Sequence, residues 1–295
     1  MDRLDAYFIG ALLMQLFFGL YVAVFCFYLK IIRVRKAGLT IVDFATILLF
    51  VLCLSAVVTD DMVYFLMLRR EPGAAPWLAK LNATASSLSV VADFVSQMVV
   101  IYRCWQVFGR SLSVGVVPTL CALASLITGL CVTGGQGTPP TAGFTGKIWW
   151  IPLGIPSMAI SLAVNALVSI LMILRIYLVH RRSKSFGFSM QGSKLRLWTA
   201  SVLVEAALFQ FAAQLVLVVL FTMDHPAFSL MVGPVTIIYG LNCTAIVARI
   251  GMNRSFEESV VEGEGAVSSI RFGGKSTKGY SESSGVQTKQ EDSVV

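Results

Sequence analysis

Seven long apolar segments, at roughly 7–29, 41–68, 86–108, 113–132, 150–179, 197–221 and 228–250, dominate the chain and limit what it can fold into. Each reaches about 20 residues, the length that crosses ~30 Å of hydrocarbon at ~1.5 Å per residue. A bilayer offers no water to backbone N–H and C=O groups, so each segment must satisfy its own hydrogen bonds as a helix. The expectation is an all-α, seven-transmembrane helix bundle over residues 1–252. A large soluble helical protein is the alternative, but its buried helices would need apolar runs of only about 10–14 residues.

Basic residues set the expected orientation, because cytosolic loops collect Lys and Arg. Lys30, Arg33, Arg35 and Lys36 fill the first connection, Arg103 and Arg110 flank the third, and Arg249 sits at the last exit. The fifth connection carries Arg175, Arg181, Arg182, Lys184, Lys194 and Arg196. The other face has only Arg3, Arg69, Arg70, Lys80 and Lys147. This places the N-terminus outside and the C-terminus in the cytosol. The net charge of +7 then reflects attraction to anionic inner-leaflet lipids and not to nucleic acid. The first apolar stretch has no basic region before it and is too long for a cleaved signal peptide, so it reads as a span.

Residues 253–295 change character, with many Ser, Thr and Gly, mixed charge and few large apolar groups. Such a segment cannot bury enough surface to fold, and a disordered cytosolic tail open to phosphorylation is expected. Its end, Ser293-Val294-Val295, has the form of a carboxylate ligand for strand addition, which would recruit a tail-binding partner. Asn82-Ala83-Thr84 is a glycosylation sequon on the expected outer side. None of the six cysteines lies in an outer loop, so no extracellular disulfide framework is implied.

Charge inside a span is costly, so polar groups there are the candidate functional residues. Asp93 lies several residues into the third span from outside, with Gln97 one turn further along the same face. An Asp there can bind a cationic ligand or relay protons, or it can be a hydrogen-bonded structural group. Asp60 and Asp61, in the outer part of the second span, complete an acidic mouth or are simply solvated at the interface. Glu205 sits about 12 Å into the sixth span from the cytosolic side at ~1.5 Å per residue. Its obvious partner is Arg103, and an ion pair between them could latch the inner ends of two helices. The alternative has Arg103 snorkelling to phosphates beside a neutral Glu205. Asn165, Gln210, Gln214 and Asn242 have interhelical hydrogen bonding as their default role. Asp43, after Thr40, reads as a first-turn cap of the second helix. Pro118, Pro152, Pro156 and Pro234 should bend helices and free carbonyls.

Several chemistries are excluded. With two histidines, His180 and His225, expected on opposite sides of the membrane, no multi-histidine zinc site can form. No Gly-rich phosphate loop or nucleophile elbow is present, and no lysine lies deep in a span for a retinal Schiff base. No enzymatic activity, cofactor or metal is expected.

Tyr102-Arg103-Cys104-Trp105 closes the third span, and Ala248-Arg249-Ile250-Gly251 leads through Arg254-Ser255-Phe256 into the Ser-rich tail. These motifs resemble those of seven-span membrane proteins of basidiomycete fungi. That resemblance implies fold and membrane location only. Span count, orientation and tail also resemble the G-protein-coupled receptor architecture. The chain departs from its common pattern: no acidic residue precedes Arg103, and the seventh span lacks Asn-Pro-x-x-Tyr. Three functional classes follow from the residues and the resemblance. One is a receptor-like sensor of a small ligand near Asp93, with a G protein as partner. The second is a transporter or lipid exporter using Asp93 and Glu205, and the third a scaffold acting through basic loops and tail. The plasma membrane is expected before an internal one.

Overall fold

The computed structural model describes residues 3–34, 40–69, 75–109, 111–136, 151–185, 190–223, 225 and 227–267. They form α1 (Arg3–Val34), α2 (Ile41–Arg69), α3 (Ala75–Val107), α4 (Leu112–Gln136), α5 (Ile151–Ser185), α6 (Met190–Thr222) and α7 (Ala227–Val267), and no strand occurs among them. Six helices carry stretches of 20 to 31 residues that are long and apolar enough to cross a membrane. In α6 the corresponding stretch among the described residues is shorter, Ala207–Thr222. The described elements are thus all helices, and the chain is a multi-pass integral membrane protein.

The chain divides into two units, 1–255 and 256–295. In the second, residues 256–267 are helical, so helix occupies the first part of the expected tail, where Glu257, Glu258 and Glu262 are good helix formers. Arg35, Lys36, Arg70, Arg110, Lys147 and residues 268–295 lie outside the described residues, as do the side chains of Arg181, Arg182, Lys184, Lys194 and Arg196.

Within the first unit, what distinguishes inner from outer helix faces is polarity and shape. On α1, Phe8, Leu12, Leu16 and Leu20 recur every four residues and are exposed, whereas Met14, Tyr21, Phe25 and Tyr28 are buried. An exposed apolar stripe of this length suits lipid, where it costs nothing. The inner stripe builds an aromatic cluster with α2: Phe25 stacks on Phe50 with centroids 3.9 Å apart, and Tyr21 meets Phe50 edge-on. α7 is the most enclosed helix, with every residue from Pro234 to Gly240 buried. Glycine permits this approach. A Cβ on Gly240 would lie 2.8 Å from the Tyr21 ring and 2.9 Å from Cys53 Sγ, and one on Gly233 would lie 2.5 Å from Met14 Sδ.

The start of α2 forms as its sequence anticipates. Thr40 N and Oγ1 both donate to Asp43 Oδ2, and Asp43 N donates back to Thr40 Oγ1 at 3.4 Å. This reciprocal pair is a capping box with Asp in place of Glu. Tyr28 of α1 adds a bond from its hydroxyl to Asp43 Oδ1 at 2.8 Å, fastening α1 to the cap.

Candidate functional site

A cavity of about 560 Å³ opens among α2 to α7, in the half of the bundle that holds the start of α3. Asp60, Asn82, Asp93 and Gln97 all line it, so the structure brings four of the sequence-derived candidates to one place. Asp61 is not among its walls. It is exposed, and both its carboxylate oxygens accept from Gln15 Nε2 of α1, at 2.9 and 2.8 Å. Asp60 and Asp93 thus share the cavity, while Asp61 is tied to α1. Asn82 lies within helix α3, exposed at the cavity wall.

The cavity base is a polar cluster built from residues one helical turn apart. α3 supplies Asp93 and Gln97 and α5 Ser161 and Asn165, each pair at i, i+4 and so on one face, and α6 supplies Gln214. Gln97 Nε2 donates to Asp93 Oδ2 at 3.0 Å and to Ser161 Oγ at 2.7 Å. Ser161 Oγ donates to Asp93 Oδ2 and accepts from Gln214 Nε2, while Asn165 Nδ2 donates to Gln214 Oε1. The Ser161 hydroxyl thus uses its one donor and both acceptor positions. Two atoms in this cluster, Asp93 Oδ1 and Gln97 Oε1, are buried with no hydrogen-bond partner.

A second polar layer ties α7 to α3 and α6. Asn242 Nδ2 donates to Gln210 Oε1 at 2.8 Å, Gln210 Nε2 donates to Ser96 Oγ at 3.2 Å, and Ser96 and Cys243 share a contact of 3.3 Å. The walls above are held by similar clasps. Ser125 and Ser157 exchange hydroxyl-to-carbonyl bonds between α4 and α5, and Thr236 of α7 donates to Ser89 of α3 at 3.0 Å. Apolar side chains complete the lining, Phe94, Leu217, Phe221 and Phe228 among them.

At the opposite end of α3, Arg103 is half-buried and its Nη1 has no hydrogen-bond partner. It lies within electrostatic range of Tyr28, Asp43 and Cys243. Glu205 is exposed, and no ion pair joins it to Arg103 among the described residues. Of the two arrangements open from the sequence, the Arg103–Glu205 latch is therefore not the one in this conformation. The polar surroundings of Arg103 come from α1, α2 and α7, whereas Glu205 occupies an outward face of α6.

Sequence reasoning missed Ser161, the residue on which the cluster converges, and Ser96, its counterpart in the second layer. A lone serine in an apolar helix is common, since its hydroxyl can return to the i−4 carbonyl, as Ser169 does to Asn165. The available signal was position: Ser161 sits one turn before Asn165, on the face that had to meet Gln214. Among the described residues no group of His, Cys, Asp and Glu could hold a metal ion. All six cysteines are free. Set against known protein families, curated proteins and solved structures, the chain matches none.

Proposed function

We propose that the protein is a receptor-like sensor which admits a small ligand to this cavity from outside the cell, in the seven-span orientation that the basic loops favour. One observation carries the reading: the cavity base is a single hydrogen-bonded cluster whose members belong to α3, α5 and α6. A ligand that touches Asp93 or Gln97 exchanges bonds with groups that also hold these helices together. Differential contact of that kind is what allows binding to shift a bundle between two arrangements. The volume, about 560 Å³, lies within the range of small-molecule sites, and its mostly apolar lining with few convergent polar groups is their usual composition. Transmission would run along α3, which carries Asp93 at the cavity and Arg103 at its other end. Plasma-membrane placement and kinship with the fungal seven-span proteins belong to the same proposal.

The transporter reading has less support. It needs Asp93 and Glu205 on a shared path, yet Glu205 is exposed and does not line the cavity. The two classes separate in one experiment on the purified full chain. Nucleotide-stripped Gα subunits should be captured by the protein, released by GTP, and captured less well by Arg103→Ala. If folded protein captures no competent Gα but carries proton or lipid flux in proteoliposomes that Asp93→Asn abolishes, the sensor reading is wrong and the carrier reading replaces it.

A further inference from the structure

The charge inside the cavity is one-sided. Asp60 and Asp93 contribute two carboxyl groups to its walls, and no Lys, Arg or His is found among its described lining residues. The base is also short of donors. Gln97 is 1% exposed, its Nε2 is committed to Asp93 and Ser161, and its Oε1 has no partner. Asp93 Oδ1 lacks a partner as well, so both unsatisfied atoms are acceptors. A buried acceptor left unsatisfied costs about 1–3 kcal/mol, and a donor from an occupant recovers that cost. A metal ion answers the charge but not the space, since the cavity is many times the ~30 Å³ that one water occupies. Its Phe94, Leu217 and Phe221 side chains offer a metal ion no oxygen or nitrogen ligand.

We infer that the cavity takes an organic cation, whose N–H donors meet the Asp93–Gln97 acceptors and whose apolar body packs on the aromatic and aliphatic walls. This rests on the sensor reading above, because it names the ligand class of the same site. Asp60, higher on the α2 wall, supplies a second carboxylate that draws cations in and repels anions.

The test uses the full chain in lipid nanodiscs and follows thermal unfolding against three probes of matched shape: cyclohexylmethylammonium, cyclohexylmethanol and cyclohexanecarboxylate. Sodium chloride at equal ionic strength is the fourth arm. The ammonium should stabilise the protein with apparent affinity about tenfold or more above the alcohol, because its hydrogen bonds are charge-assisted. The carboxylate and sodium arms should give no saturable shift. The preference for ammonium should disappear in Asp93→Asn and weaken in Asp60→Asn, and persist in Asp61→Asn. Equal binding of ammonium and alcohol, or a sodium shift matching that of the ammonium, overturns the cation assignment. So does an ammonium preference that survives both cavity substitutions, or its loss in Asp61→Asn. A cavity-filling Ser89→Trp separates the two levels. If the alcohol binds equally and Ser89→Trp abolishes binding, the ligand class is wrong and the cavity remains the site. If no probe shifts unfolding, or Ser89→Trp leaves every shift intact, the cavity reading falls as well.

Discussion

Replacing Ser161 with alanine tests whether the cluster holds the bundle together or merely decorates it. Its hydroxyl takes part in three interhelical hydrogen bonds, two to α3 and one to α6. Hydrogen bonds between membrane helices average about 0.6 kcal/mol each, because the unfolded chain in lipid also finds partners. Ser161→Ala should therefore cost about 2 kcal/mol. The value can rise towards ~3 kcal/mol because Gln214, only 3% exposed, is left holding a donor with no acceptor. The comparison variant is Ser89→Ala, which removes one interhelical bond, that from Thr236, and should cost about 0.6 kcal/mol. Reversible unfolding by dodecyl sulfate in mixed micelles, followed by tryptophan fluorescence, reads both on one scale. If Ser161→Ala is no more destabilising than Ser89→Ala, the cluster does not carry the weight assigned to it. The proposed coupling of cavity to helix positions would then lose its physical basis.

Two further outcomes follow from close packing and from the α2 cap. Gly240→Ala places a methyl 2.8 Å from the Tyr21 ring, and Tyr21 is fully buried and cannot swing away. Overpacking of this kind costs about 1–3 kcal/mol, whereas Gly134→Ala, with nothing within 4 Å, should be neutral or stabilising in the same unfolding assay. Equal stability of the two variants would show that α7 does not press on α1 as described. Tyr28→Phe removes a 2.8 Å bond to Asp43 and should cost about 1–2 kcal/mol. In a double-mutant cycle with Asp43→Ala, which removes the acceptor, a coupling of about 1 kcal/mol is expected, and no coupling would contradict the bond.

The existence of long apolar helices was the easiest part to read, because ~30 Å of hydrocarbon demands about 20 apolar residues whatever surrounds them. Helix ends were not, since α3 begins at Ala75 and α7 runs on to Val267, beyond the apolar segments. Asp43 could also be placed locally, since a capping box closes over four consecutive residues. Glu205 shows where that reasoning stops. Its depth along α6 was calculable and suggested Arg103, yet the rotation of α6 about its own axis decides whether it can reach, and that rotation turns Glu205 outward.

By itself, then, the amino-acid sequence determined that this is a membrane protein of apolar helices with rare polar groups inside them, because the solvent imposes both rules residue by residue. It could not determine which polar groups meet. Asp60 and Asp61 are identical neighbours, but successive residues on a helix point about 100° apart. One enters the cavity while the other bonds Gln15 on α1. Ser161 acquires its three partners only because α3, α5 and α6 are turned towards one another. Those rotations are set by packing over the whole bundle, by Gly240 against Tyr21 and Gly233 against Met14, and no local stretch of chain encodes them.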